Sequence, residues 1–317
     1  FQLPLDMTQL GAPTFADEFS APLSLWDPES NPGGTWRPDY HHYNSQNPGH
    51  YALTGNGEKQ QYTSPYYRDH PGDFAETPFV SNPDGTVSIW AKQSTNPEIF
   101  GYKYTSGFLS TRNTFSQTYG YFEMRADVPD AAGTWPAFWM DRVDGKWPPE
   151  LDIMEILGDD PRTAWNTEHS SIGGHTKQAT ASFTPDTADG FHTYGVLWTP
   201  TDLVWYLDGV EAFHTATPTD MNSPMFMMAN MALGGWAGAV DNAALPAEMK
   251  IDYIRAYALP ANFVGLSPLP APAVTPILES VSSVGQQVNG TLGDDDVTGL
   301  NGNDTVFGSA GADSVRG

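Results

Sequence analysis

Three carboxylates stand close together in WPPELDIMEILG, residues 147–158: Glu150, Asp152 and Glu155. Their spacing of 0, 2 and 5 does not suit a helix, because positions 0 and 5 would point about 140° apart. A strand puts Glu150 and Asp152 on one face and Leu151 and Ile153 on the other. Glu155 joins the two acids only if the strand carries one extra residue, as a β-bulge supplies, and Met154 is the expected position. The stretch reads as a bulged strand presenting three acids in a row. Two carboxylates flanking a scissile bond are the apparatus of glycoside hydrolysis, and a retaining pair lies about 5–5.5 Å apart. The Cα atoms of Glu150 and Glu155 would be roughly 13 Å apart, four strand steps, so only long side chains leaning together close the gap. Asp152 between them adds negative charge, so one acid is held protonated and can act as a proton donor. A structural cation site or a solvated strand face would use the same three residues.

The elements that must position this row are β-strands. Residues 1–260 alternate short aromatic and β-branched runs with Gly, Pro, Asn and Asp, as in YGYFEMRADVP, FHTYGVLWTP and MKIDYIRAYAL. VWYLDGVEAFH is a hairpin signal around Asp208-Gly209, and no long stretch has helical periodicity. The expectation is an all-β fold, a β-jelly-roll sandwich of two antiparallel sheets. Just upstream of the acids, Trp135, Ala137 and Trp139 alternate with Pro136, Phe138 and Met140 in GTWPAFWM. On a neighbouring strand these tryptophans would line the cleft and stack on sugar rings; packing in the core is the alternative for them.

The chain has 317 residues with 38 acidic and 14 basic side chains, a formal net charge of −24. That excess disfavours nucleic acid and anionic membranes as partners. There is no cysteine, so no disulfide framework exists. FQLPLDM at the start shows no signal-peptide pattern. The apolar stretch 225–240 is broken by Asn230 and several glycines and reads as buried strands rather than a membrane span.

Residues 261–285 hold four prolines in nine residues, Pro268, Pro270, Pro272 and Pro276, the mark of a stiff linker. Residues 286–317 then repeat with a period of nine: GTLGDDDVT, GLNGNDTVF, GSAGADSVR. Gly recurs at the first and fourth positions, Asp295, Asp304 and Asp313 at the sixth, and Val297, Val306 and Val315 at the eighth. The run resembles the RTX (hemolysin-type) repeat, although the usual Gly at the second position is absent from all three copies. The resemblance implies a short parallel β-roll, Ca²⁺ held near Asp295, Asp304 and Asp313, and an extracellular protein exported by type I secretion. An acidic disordered tail is the plainer alternative.

ELDIMEILG together with GTWPAFWM resembles family-16 glycoside hydrolases of the bulged E-x-D-x-x-E group. TFADEFS, GEKQQYTSP, YTSGFLSTRNTFSQTYGYFEMRADVP, YLDG and MKIDYIRAY extend the likeness over most of residues 14–257. The resemblance implies a cleft along the concave face, Glu150 as nucleophile, Glu155 as general acid/base and Asp152 as an assisting acid. It places His169, Trp198, Asn230 and Trp236 at cleft positions, with Glu58, Gln60 and Tyr62 bordering it. His169 could equally be structural. An amide inside MFMMANMALGG must find a partner, which a sugar hydroxyl or the backbone would supply to Asn230. The family's structural Ca²⁺ would fall to Glu18 and Asp252, for which burial in a hydrogen-bonded network is the alternative. No organic cofactor is implied. Relatives carry Arg where this chain has Phe108.

The expected activity is that of a secreted, monomeric, retaining endo-β-glycanase cutting β-1,3- or mixed β-1,3/1,4-glucan. The alternatives are a substituted exopolysaccharide such as succinoglycan as substrate, with Arg142, Lys146 and Arg162 receiving its acidic groups, a lectin-like binding module, and a calcium-binding adhesion protein.

Overall fold

The computed structural model describes residues 6–40, 52–66, 77–94, 102–172, 186–261 and 263, and the backbone of strands at 176–182, 278–281, 287–289, 296–299, 305–307 and 314–316. The chain divides into two units, 8–264 and 265–317 with 1–7. Among the described residues no helix is long and apolar enough to cross a membrane.

Among the described residues, sixteen strands build the larger unit. In chain order they are β1 (Phe15–Asp17), β2 (Gln60–Tyr62), β3 (Phe79–Ser81), β4 (Val87–Gln93), β5 (Tyr104–Ser106), β6 (Phe108–Ser110), β7 (Gly120–Asp127), β8 (Thr134–Arg142), β9 (Glu150–Leu157), β10 (Asp160–His169), β11 (Thr176–Ser182), β12 (His192–Trp198), β13 (Asp202–Leu207), β14 (Val210–Ala216), β15 (Met225–Leu233) and β16 (Ala247–Tyr257). One sheet runs β14-β13-β12-β7-β16-β4-β5-β2, with β1 on β16 and β3 on β4; the other runs β11-β10-β9-β8-β15-β6. All pairings are antiparallel except β2 with β5, which departs from the expected pair of purely antiparallel sheets.

Period-two alternation sorts each strand of the six-stranded sheet between two faces. On β15, Met225, Met227, Ala229, Met231 and Leu233 enter the core between the sheets. Phe226, Met228, Asn230 and Ala232 alternate with them, so they lie on the opposite face. On β8, Phe138 and Met140 face the core while Trp135, Ala137 and Trp139 line a cleft on that opposite face. Each large apolar side chain taken fully into the core contributes about 1.5–3 kcal/mol, which fixes the register of these strands.

The acid strand β9 breaks its alternation once. Opposite β8, Ala137 pairs with Glu155, Phe138 with Met154 and Trp139 with Asp152, so Ile153 is the unmatched residue. The bulge lies one position before the expected Met154. Ile153 and Met154 are both buried in the core, so the two consecutive apolar residues share one face. A slip that removed the bulge would drive Glu155 into the core, where an unpaired carboxylate costs several kcal/mol. Gly158 closes the strand where a Cβ would collide with the Ala131 carbonyl and the Thr134 hydroxyl.

In the smaller unit five short strands pair in parallel. Leu278–Val281, Asp296–Gly299 and Ser314–Arg316 form one sheet, Gln287–Asn289 and Thr305–Phe307 another. Leu278 aligns with Asp296, Asp296 with Ser314 and Gln287 with Thr305. Each offset is two nine-residue periods, so alternate repeats build separate sheets. Leu278–Val281 falls inside the stretch expected to be linker: beyond Pro276 the chain is free to join a ladder. Asp295, Asp304 and Asp313 lie outside the described residues.

Candidate active site

The open face of the six-stranded sheet carries a cleft of about 670 Å³. Glu150, Asp152 and Glu155 lie in a row on its floor, and Trp135, Trp139, His169, Asn230, Trp236 and Glu58 line it with them. Strand pairing explains the gathering. β9 lies between β8 and β10, with Glu155 beside Ala137 and Trp165 and Glu150 beside Asp141 and His169.

His169 Nε2 lies 3.0 Å from Asp152 Oδ2 and 3.4 Å from Glu150 Oε1. The indole of Trp147 donates to Glu150 Oε2 at 2.9 Å, and its ring leans on His169 with centroids 5.9 Å apart. At the other end of the row, Trp135 Nε1 donates to Glu155 Oε1 at 3.0 Å. Burial and then the charge of Asp152 push both Glu150 and Glu155 well above the usual carboxylate range. Burial and then Asp141 raise Asp152 as well. Three such acids cannot all be ionised together, so the row retains protons near neutral pH. Glu150 has the partners that most favour the anion, an indole N–H and the imidazole. Glu155 has one indole.

Trp147 is 54% exposed, so it contributes little to the fold. Removing its N–H leaves Glu150 short of a charge-assisted hydrogen bond of about 1.5–3 kcal/mol. Trp147→Phe is therefore expected to lower kcat by about 10- to 100-fold with Tm unchanged. Steady-state kinetics alongside a thermal melt checks this.

Asn230 lines the cleft, and its amide already has side-chain partners. Its Oδ1 accepts from Trp139 Nε1 at 2.7 Å and its Nδ2 donates to Tyr62 Oη at 3.0 Å. The amide locks Trp139, which Tyr40 covers in a stacked arrangement at 5.6 Å. Phe108 is fully buried beneath them, edge-on to Tyr62 at 5.1 Å, so it supports the floor and does not reach the cleft.

Glu58 ends this buried network. Its Oε2 accepts from Leu53 N at 2.9 Å and from Gln60 Nε2 at 2.7 Å, and burial pushes its pKa up to about 7. The folded state therefore keeps a proton that the unfolded chain loses near pH 4.5, and stability falls as pH rises from there through about 7. Above that window the penalty is on the order of 3 kcal/mol. Glu58→Gln keeps an acceptor for both donors and carries no charge. It is expected to gain about that amount over the wild type at pH 8–9 and almost nothing at pH 4, as denaturant melts at the two pH values would read.

Trp198 departs from expectation. It is fully buried on β12, in the other sheet, between Tyr119 at 5.1 Å and Phe122 at 6.3 Å, and has no place in the cleft. Glu18 and Asp252 each stand in an ion pair. Glu18 is held by both ends of the Arg255 guanidinium at 2.8 and 2.7 Å, and Asp252 by Arg125 at 2.5 Å. Among the described residues, the one group of three ligand-type side chains close enough for a metal ion is Glu150, Asp152 and His169.

Sequence reasoning missed Tyr40, Asn56, Trp147, Trp165 and Thr167, all of which line the cleft. Trp165 and Thr167 lie four and two residues before His169 on one strand, so alternation counted back from His169 could have found both. Trp165 and Trp135 each meet Trp236 edge-on, at 5.0 and 5.6 Å, making an aromatic corner beside Glu155.

A model of the family described as glycosyl hydrolases family 16 matches residues 74–255. Endo-1,3-1,4-beta-glycanase EglC of Rhizobium meliloti (strain 1021) is 46% identical over 268 residues, 83% of this chain and 55% of that protein. Endo-1,3-1,4-beta-glycanase ExsH of the same organism is 44% identical over 267 residues, with the same shares. The chain thus spans about half the length of these curated relatives. The laminarinase catalytic domain from Thermotoga maritima MSB8 superposes with a TM-score of 0.63 at 28% identity, over 78% of this chain and 98% of that one. The family match takes in all three acids and the strands that carry them, and with relatives this similar over five-sixths of its length, this chain belongs to glycosyl hydrolases family 16.

Proposed function

We propose that this chain is a retaining endo-β-glycanase that hydrolyses internal β-1,3 or mixed β-1,3/1,4 linkages of a neutral glucan. The observation that carries the reading is the row Glu150, Asp152, Glu155 on one face of a bulged strand, inside an open, tryptophan-lined cleft. Glu150 attacks the anomeric carbon while Glu155 gives its proton to the leaving oxygen. Water then displaces Glu150 from the sugar, and Glu155 takes the proton from that water. Asp152, hydrogen-bonded to His169, keeps the field around both glutamates negative, so that Glu155 is still protonated when Glu150 is ionised.

A neutral substrate is supported by the charge of the cleft. Among its lining residues there are four carboxylates and no Lys or Arg. Of the three cations that flank the acid motif in sequence, Arg142 pairs with Asp144 at 2.7 Å, Lys146 lies 3.6 Å from the same carboxylate and Arg162 lies 3.5 Å from Asp186. Acidic substituents on the central sugars would meet four carboxylates and, among the described lining residues, no Lys or Arg. The curated relatives are described as acting on 1,3-1,4-β linkages, which supports the same backbone. The proposal extends to a secreted monomer whose nine-residue repeats bind Ca²⁺; the register of the repeats supports this.

Reducing-end release from laminarin, lichenan, succinoglycan, agarose and carrageenan tests the reading. Cleavage of laminarin or lichenan is expected. Cleavage of succinoglycan alone would transfer the assignment to a substituted exopolysaccharide, and silence on every polymer with intact sugar binding would make the chain a binding module.

A further inference from the structure

A bulge removes residues from the ladder, and backbone groups released in a dry core must find other partners. Opposite β10, Trp165 pairs with Glu155 and Thr167 with Asp152, so Asn166 faces both Ile153 and Met154. Two consecutive carbonyls of the acid strand take side-chain donors here. Asp152 O accepts from Trp205 Nε1 at 2.8 Å, and Ile153 O accepts from Asn166 Nδ2 at 2.9 Å. Trp205 comes from β13 of the opposite sheet and crosses the core; Asn166 comes from the neighbouring strand. All four residues are buried.

The bond from Trp205 is not a mere consequence of burying an indole. Trp198 is equally buried in the same core, and among the described residues its Nε1 has no hydrogen-bond partner. Nor are the clamped carbonyls arbitrary. They belong to Asp152, which holds His169, and to Ile153, the residue whose insertion turns Glu155 onto the face of Glu150.

We propose that Trp205 and Asn166 are positioning residues that clamp the bulge from two directions and thereby hold Glu155 in place against Glu150. Neither touches the cleft, and neither is a catalytic residue. Their kinetic effect rests on the glycanase reading. Without the clamp the bulge shifts along β9, and the acid at its far end, Glu155, loses its aim at the leaving oxygen. Misplacement of a catalytic group by about 1 Å costs on the order of 100-fold in rate.

The test compares Trp205→Phe, which keeps an aromatic ring and removes the N–H, with Asn166→Leu and with Trp198→Phe. The last makes the same deletion at a buried indole that donates to nothing. Each is assayed on a polymer that the wild type cleaves and on a dinitrophenyl β-glucan oligosaccharide, whose leaving group needs no proton. Trp205→Phe and Asn166→Leu are expected to lose about 30- to 100-fold in kcat on the polymer, with KM within about twofold, and to lose less than about fivefold in the rate of the dinitrophenolate burst from the aryl glycoside, the step that needs no proton from Glu155. Trp198→Phe is expected to stay near wild type on both, even where its Tm falls as far. Equal losses in the two tryptophan variants, or a dinitrophenolate burst slowed as much as polymer turnover, overturn the proposal. Crystals of Trp205→Phe give a readout independent of activity: the separation of the Glu150 and Glu155 carboxylates should widen, and an unchanged separation overturns the clamp. A wild type inactive on both substrates would defeat the glycanase reading instead, leaving that separation to decide the clamp.

Discussion

Glu150→Gln is expected to abolish turnover, by about 10⁴-fold or more, while the protein stays folded and still binds glucan oligosaccharides. The amide is nearly the size of the carboxylate, so Asp152 and His169 keep their 3.0 Å contact and the aromatic walls are untouched. What disappears is the anion. A neutral amide neither attacks an anomeric carbon nor stabilises the positive charge that develops there. The substitution also removes a repulsion. Glu150 is raised by burial and by Asp152, so replacing it with a neutral group lowers the charge that the site must carry. Stability at neutral pH is therefore expected to rise in the variant. Calorimetric titration with a laminari- or cello-oligosaccharide, together with a thermal melt, reads both. Residual turnover above about one per cent of wild type, once contamination is excluded, would remove Glu150 from the nucleophile's role.

The acid row was legible because a period of two is strict. Counting from Glu150 to Glu155 demanded one extra residue, and the strand carries one. Which residue it would be was not legible. Ile153 and Met154 are both apolar, both face the core and fill similar volumes, so only the partner strand's register separates them. Trp198 was misplaced for a different reason. In FHTYGVLW it shares a face with Val196 and Tyr194, and that face looks into the sandwich; position relative to a family pattern carried no information about which sheet the strand would join. Glu18 and Asp252 were named from their positions in the family pattern, which carries no trace of their arginine partners, Arg255 and Arg125, far away along the chain. Trp147 precedes two prolines outside any strand, so no alternation could announce that its indole reaches Glu150. The two clamping donors, Trp205 and Asn166, were hidden by the same limit, since a side chain that serves a backbone carbonyl across a core leaves no periodic trace.

Glu155→Ala tests the other end of the row, and the stereochemistry of rescue tells the two glutamates apart. Without its acid the first step on a polymer loses proton donation to the leaving oxygen, for a fall in kcat of about 10²–10⁴-fold. A dinitrophenyl leaving group departs without that proton, so the glycosyl intermediate on Glu150 still forms. It then accumulates, because no base is left to activate water. Azide needs no deprotonation, and the space vacated by the glutamate side chain admits it. Added azide is therefore expected to restore turnover of the aryl glycoside and to yield a β-glycosyl azide, the product of two successive inversions. Glu150→Ala should behave in the opposite sense. There azide replaces the nucleophile itself, a single inversion takes place, and the product is the α-azide. The environment of each glutamate agrees with this division: Glu150 is flanked by Trp147 and His169, whereas among the described residues Glu155 accepts from Trp135 Nε1 at 3.0 Å beside the aromatic corner of Trp165 and Trp236. Proton resonances of the two azide products decide the matter. An α-azide from Glu155→Ala would exchange the assigned roles, and hydrolysis of the polymer at wild-type rate would remove Glu155 from the mechanism.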